Sequence, residues 1–317
     1  MNFDLIKEQD LNKTLDEKVL PALDAAKSEG EFESFDSNRL FWRSYTRPDA
    51  RKSVAILHGF TESCEKYHEL IWYFFSSGSN VYIFDQRGHG KSFRHVPDRT
   101  ITHVERFDDY ISDFEVFTEK IVPKDLPRVL FSHSMGGAVA GLYLEKHPDV
   151  YEKAIFSSPM IAPSTGGYPL FVGKAICRAA ILFGGAKKRI FLSSEYPGEE
   201  KFETSCDTSF ERFSRYEKFR RKNPDYQNFS PSYRWTLESL NVTKRLLKQG
   251  EPEKIQAKCL LLSAGRDDIV LVPPQKLFAE RIPDCEYVTF ADAKHEIYYS
   301  TDDVMEPYVA KLLDFID

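Results

Sequence analysis

Two apolar patterns alternate along most of the chain. Short β-branched or aromatic runs, VAILHG (54–59), VYIFD (81–85), VLFSHS (129–134), AIFSS (154–158), CLLLSAG (259–265) and YVTF (287–290), have no polar alternation. Such runs predict strands buried on both faces. The stretches between them, at about 62–77, 103–121, 136–147, 274–282 and 302–316, carry helical spacing. Strand and helix in alternation predict an α/β fold with a mostly parallel sheet and right-handed crossovers. Ahead of this, FESFD (32–36) and LFWRSY (40–45) flank a Ser-Asn turn and predict an antiparallel hairpin on the sheet edge, preceded by an amphipathic helix over residues 5–27.

The alternation breaks between about 160 and 240. This interval is punctuated by Pro163, Pro169, Pro197, Pro224 and Pro231 and by glycine pairs at 166–167 and 184–185, and it is far longer than a plain crossover needs. An inserted helical cap over 160–235, within a core formed by 1–159 and 236–317, is the expected organisation. Charge separates the two parts. Residues 161–235 hold 13 Lys or Arg against 8 Asp or Glu in a chain whose net charge is −6. The overall acidity argues against general nucleic-acid binding.

The strongest chemical signal is FSHSMGG (131–137), a strand running into Ser134 and then into AVAGLYLEKH. A serine on a sharp strand-to-helix turn needs small neighbours at −2 and +2. Gly136 satisfies the second position, and Ser132 stands where the first is usually glycine. Acyl transfer also needs amides that bind a developing oxyanion. The residue after the serine, Met135, offers one backbone N–H, and Phe60, in the loop after His58-Gly59, offers the other.

A serine must be activated by a histidine held in one tautomer by a carboxylate. The loop after CLLLSAG contains Asp267 and Asp268, and the loop after YVTF contains Asp292 and His295. His295 is the expected base by position. His68, His95 and His147 read as surface residues, His58 and His89 as turn residues, and His133 as packed behind the elbow. Asp85 and Arg87 read as structural groups that hold a glycine-rich loop at a strand end. The residues leave Asp267 and Asp268 open as the acid.

HGFTE (58–62), DQRGHGKS (85–92), SHSMGG (132–137), AGRDD (264–268) and AKHEIYYSTDD (293–303) resemble the α/β-hydrolase family of bacterial lysophospholipases and monoglyceride lipases, also classed with serine aminopeptidases. The cap's ending, RFSRYEKFRRKNPDYQNFSPSYRW, is similar to the lysophospholipase branch. The resemblance implies a triad in the order Ser, Asp, His, with the acid three residues after a strand-end glycine. That spacing carries over from Gly265 to Asp268. It further implies hydrolysis of a carboxylic ester of a single-chain lipid, lysophospholipid or monoacylglycerol, through an acyl-enzyme, with no metal or organic cofactor.

Three alternatives share the scaffold: a small-molecule carboxylesterase, an aminopeptidase, and a ligand-binding relative with an inert triad. The longest predominantly apolar stretch, 168–185, is interrupted by Lys174 and Arg178, so no membrane span is expected. The acidic first ten residues do not read as a secretory signal, and five scattered cysteines without a C-x-x-C pair suit reduced thiols. A cytoplasmic protein is expected. From Ile161 to Ser194 there is no acidic residue, while Lys174, Arg178, Lys187, Lys188 and Arg189 interleave with Phe171, Ile176, Leu182 and Phe183. This pattern fits either peripheral contact with an anionic membrane or an ordinary lid helix with a solvated basic face.

Overall fold

In a computed structural model of the chain, which describes residues 3–317, eight strands form one sheet. They are β1 (Lys27–Glu33), β2 (Arg39–Tyr45), β3 (Lys52–Leu57), β4 (Ser79–Phe84), β6 (Arg128–His133), β7 (Lys153–Ser157), β9 (Lys258–Ala264) and β10 (Cys285–Phe290). Two further short strands, β5 (Ile101–Thr102) and β8 (Ser230–Pro231), pair separately. The sheet order is β1-β2-β4-β3-β6-β7-β9-β10. The hairpin at the edge is antiparallel to its neighbours, and every pairing from β4 through β10 is parallel. The fold is that of an α/β-hydrolase.

The helices are α1 (Leu11–Thr14), α2 (Leu20–Ala26), α3 (His68–Ser76), α4 (Phe107–Lys120), α5 (Met135–Leu144), α6 (Leu170–Leu182), α7 (Phe210–Lys222), α8 (Tyr233–Leu246), α9 (Val272–Arg281) and α10 (Asp302–Ile316). A π-helical turn, Leu15–Val19, joins α1 to α2, so the leading helix is wound continuously but unevenly. The absence of polar alternation in the inner strands has a direct cause, because these strands supply two cores. Ala55 and Leu57 of β3 pack under α4 and α5 with Phe114, Phe117 and Val139, whereas Val54 and Ile56 face α3 and α10 with Phe74, Tyr308 and Leu312. At about 25 cal/mol per Å² of apolar surface removed from water, these two layers are the main source of stability.

Between β7 and β9 the chain leaves the sheet and builds α6, α7 and α8. α8 is amphipathic and seats Trp235, Val242 and Leu246 against the core, while Leu240 turns toward α6, with Ser232 as its N-cap. α6 rides on the outside and buries only Cys177. Phe171, Leu182 and Phe183 are 74%, 80% and 86% exposed. Of the basic residues in this stretch, Arg189 is tied to Asp98, Thr100 and Glu195, and Lys187 reaches Glu105 at 3.5 Å. Lys174, Arg178 and Lys188 have no acidic partner among the described residues. No helix among the described residues is long and apolar enough to cross a membrane.

Candidate active site

Ser134 sits between β6 and α5 with φ 49° and ψ −117°. A non-glycine residue at positive φ is strained and is held there only by its surroundings. Gly136 is what permits the turn, since a Cβ there would lie 2.3 Å from the Leu57 carbonyl oxygen and 2.7 Å from that of His58. Ser132 fits the other crowded position because its hydroxyl donates to the Ile155 carbonyl of the adjacent strand at 3.0 Å.

The parallel topology brings three loops to the same end of the sheet. His295 follows β10 and places Nε2 2.8 Å from Ser134 Oγ. Asp267 follows β9 and places Oδ2 2.7 Å from His295 Nδ1. Ser134 and His295 are both buried, at 6% and 4% exposure, which shields the pair. Asp268, expected against the histidine from the Gly265 spacing, is exposed and makes no hydrogen bond among the described residues. The cause of this correction is an Asx-type turn: Asp267 Oδ1 accepts the Ile269 and Val270 amides at 3.0 Å, which leaves its second oxygen facing the imidazole. Burial would raise the Asp267 carboxyl, but the His295 hydrogen bond and the two amides outweigh it and hold the group below the usual carboxylate range.

The loop after β3 carries Phe60, and neither its N–H nor that of Met135 has an acceptor among the described residues. Trp235 of α8 packs against the Phe60 ring with centroids 4.3 Å apart and planes tilted by 40°, so the cap braces this loop. His58 is buried with Nδ1 donating to Gly59 O at 2.8 Å and Nε2 accepting from Gln86 N at 2.9 Å. Both nitrogens are occupied, and burial lowers its pKa, so it is a neutral structural group. Asp85 accepts the Cys64 and Lys91 amides, and Arg87 forks onto Asp113 at 2.5 and 2.6 Å while reaching Asp36 at 3.0 Å. These contacts pin the glycine loop to the turn that leads into α3, to α4 and to the edge hairpin.

Behind the elbow lies a charged cluster that the sequence reading did not identify. Glu62 accepts from the Gly59 amide and from the hydroxyls of Tyr67 and Tyr298, both at 2.6 Å, and lies 3.0 Å from His133 Nδ1. His133 Nε2 is 3.3 Å from the His295 carbonyl oxygen. Lys66 binds Glu296 at 2.6 Å. The available signal was charge inside motifs that otherwise read as buried, Glu62 in HGFTE and Glu296 in KHEI.

The family model described as "Serine aminopeptidase, S33" (Hydrolase_4) matches residues 48–302. A probable lysophospholipase L2 of Haemophilus influenzae is 28% identical over 286 residues, 88% of each chain. Lysophospholipase L2 of Escherichia coli K12 is 26% identical over 301 residues, 92% of this chain and 88% of its own length. Among solved structures, a soluble variant of the monoglyceride lipase of Saccharomyces cerevisiae superposes with a TM-score of 0.71 at 22% identity, covering 92% of this chain and 96% of its own. That likeness is one of fold. The match to the family model over most of the chain places it in the serine aminopeptidase S33 family of α/β-hydrolases.

Proposed function

We propose that this chain is a carboxylic ester hydrolase that cleaves single-chain lipid esters, lysophospholipids or monoacylglycerols, by a two-step acyl-enzyme route. The reading rests on the continuous contact from Asp267 through His295 to Ser134, at 2.7 and 2.8 Å. Ser134 Oγ attacks the ester carbonyl carbon as its proton passes to His295 Nε2. Asp267 accepts the Nδ1 proton's hydrogen bond and stabilises the imidazolium. The Phe60 and Met135 amides receive the charge that develops on the carbonyl oxygen. His295 then returns the proton to the departing glycerol oxygen, which leaves Ser134 acylated. Water, deprotonated by His295, attacks the acyl-serine, and as the bond to Ser134 Oγ breaks His295 returns the proton to that oxygen, which releases the fatty acid and regenerates the enzyme.

The lipid assignment draws on three observations: the names of the curated relatives, the apolar cap, and a cavity of about 230 Å³ lined by Tyr168, Val172, Ile176, Leu192 and Leu240. The exposed Phe171, Leu182 and Phe183 beside Lys174, Arg178 and Lys188 support peripheral contact with an anionic membrane through α6. A panel of lysophospholipids, monoacylglycerols, short esters and aminoacyl amides, each run against wild type and Ser134→Ala, tests the reading. Turnover of the lipid esters that disappears with Ser134 supports it. Preference for aminoacyl amides or for short esters alone would replace it with the peptidase or the carboxylesterase.

A further inference from the structure

The cap is joined to the core unevenly. Its segment 205–212 runs beside residues 294–301 and bonds them on both sides of His295. Lys294 Nζ donates to Ser205 O at 3.0 Å, Glu296 N to Cys206 O at 3.1 Å, Ser209 N to Tyr299 O at 3.1 Å, and Thr301 N to Thr208 Oγ1 at 3.3 Å. Arg212, at the start of α7, donates to Ser300 O at 2.9 Å and forks onto Glu69 of α3 with two 2.9 Å contacts. A loop that must hold a proton-transfer base is therefore edged by another segment rather than left free.

At the centre of this seam Asp207 is buried against Glu296, and its Oδ1 receives no N–H or hydroxyl donor among the described residues. The groups that face it are Glu296 and Tyr299 from the histidine loop, Lys66 from the segment leading into α3, and Ser205 and Cys206 on its own segment, while Glu62 and His133 stand on the far side of Glu296. Three carboxyls, Asp207, Glu62 and Glu296, meet two potential cations, Lys66 and His133. Burial opposes charge on His133, yet Glu62 outweighs it and raises the imidazole pKa; burial opposes charge on Glu296, yet Lys66 outweighs it and keeps the carboxylate ionised. Two anions are thus matched and the third carboxyl has no cation left. Burial and the Glu296 charge push the Asp207 carboxyl well above the usual range, which favours the protonated acid, a neutral donor, beside Glu296.

We propose that the cap segment 205–212 positions the base His295, and that Asp207, buried between the seam bonds of Cys206 and Thr208, is its positioning residue through Glu296. This rests on the reading of His295 as the base. The cap then has a second task besides covering substrate, which is to fix the backbone that carries the imidazole. Ionisation of Asp207 at alkaline pH would put a second, unmatched carboxylate beside Glu296 and open the seam.

The test uses the full chain with Asp207→Ala and Asp207→Asn, a short soluble ester, and the rate at which a fluorophosphonate labels Ser134. Misplacement of a catalytic group by about 1 Å can cost on the order of 100-fold. Asp207→Ala is expected to lower kcat and the labelling rate between about 10-fold and 100-fold at unchanged KM. Asp207→Asn, which keeps a neutral donor, is expected to retain wild-type kcat at pH 7 and to lack the alkaline fall that wild type shows. Wild-type labelling by the Ala variant, a change in KM alone, or an Asn variant as impaired as the Ala variant would each overturn the proposal. If Asp207→Ala does not fold, superimposable alkaline limbs for wild type and Asp207→Asn overturn it. Labelling that survives Ser134→Ala would instead sink the serine-hydrolase reading, whatever Asp207 does.

Discussion

Asp267 divides its carboxylate between two tasks: Oδ1 closes a turn onto the Ile269 and Val270 amides, and Oδ2 meets His295 Nδ1 at 2.7 Å. The turn fixes the direction of the second oxygen, so the hydrogen bond to the imidazole does not depend on a mobile side chain. Asp267→Asn is expected to lower kcat by about 10⁴-fold, since an amide presents the wrong hydrogen-bonding partner to the ring. Asp268→Asn should retain nearly all activity. Steady-state kinetics of the two variants decides between them, and a larger loss at Asp268 would return the acid to that position.

Ser134→Ala and His295→Ala should each lose about 10⁴-fold or more, and the double variant little further, because groups that act as one unit are not additive. Circular dichroism of each variant should match wild type. Additive losses in the double variant would mean that the two residues do not share a step.

The cap makes a separable contribution. Replacing Phe171, Leu182 and Phe183 with Ser removes apolar side chains worth about 1.5–3 kcal/mol each when fully buried. Sedimentation with anionic vesicles should weaken strongly, and hydrolysis of vesicle-borne lysophospholipid should slow, while a short soluble ester is turned over at the wild-type rate. Lys188→Gln should add a smaller, salt-sensitive loss. Arg189→Gln should act on cap stability instead, since its guanidinium is engaged by Asp98 and Glu195. Unchanged sedimentation of the triple variant would discard α6 as a lipid contact.

Glu145, at the end of α5, is buried with Oε1 unpartnered among the described residues, and burial, aided by the nearby Glu251, pushes its pKa up to about 8. The folded state therefore binds this proton more tightly than the unfolded chain, whose carboxyl titrates near 4.5. Its contribution to stability is fully present below about pH 4.5 and is lost as pH rises through about 8. A tenfold difference in proton affinity between the two states is worth about 1.4 kcal/mol, so Glu145→Gln should stabilise the protein by a few kcal/mol at pH 8 and by little at pH 5. Thermal melts at the two pH values measure this, and an equal effect at both would refute it.

The sheet and its flanking helices were legible because strands such as VAILHG feed apolar side chains to two cores and so contain no polar alternation. Ser134 and His295 were legible for a related reason, since each stands at the end of such a run. The choice between Asp267 and Asp268 was not. It turns on which carboxylate closes a local turn, and two adjacent aspartates offer the same chemistry to that turn. The cluster of Glu62, His133, Lys66, Glu296 and Asp207 was harder to read for a different reason. It gathers four segments that are distant in sequence, and only the charges of Glu62 and Glu296 inside motifs that read as buried pointed to it.

The beginning of the chain is fastened to its far end. Glu8 N donates to the Asp302 carboxylate at 3.1 Å and Asp302 N returns the bond to Glu8 Oε2 at 3.2 Å, across a separation of 294 residues. Leu15 and Val19 of the leading helix belong to the same core as Tyr308 and Leu312 of α10. At ~5–20 residues per second, synthesis delivers the second partner roughly 15–60 s after the first. The strands can pair in succession as they emerge, with α3 covering part of the leading helix, but the rest of that apolar face waits for the last helix. During this interval it is the sticky surface of the nascent polypeptide, and a ribosome that stalls before α10 leaves it uncovered.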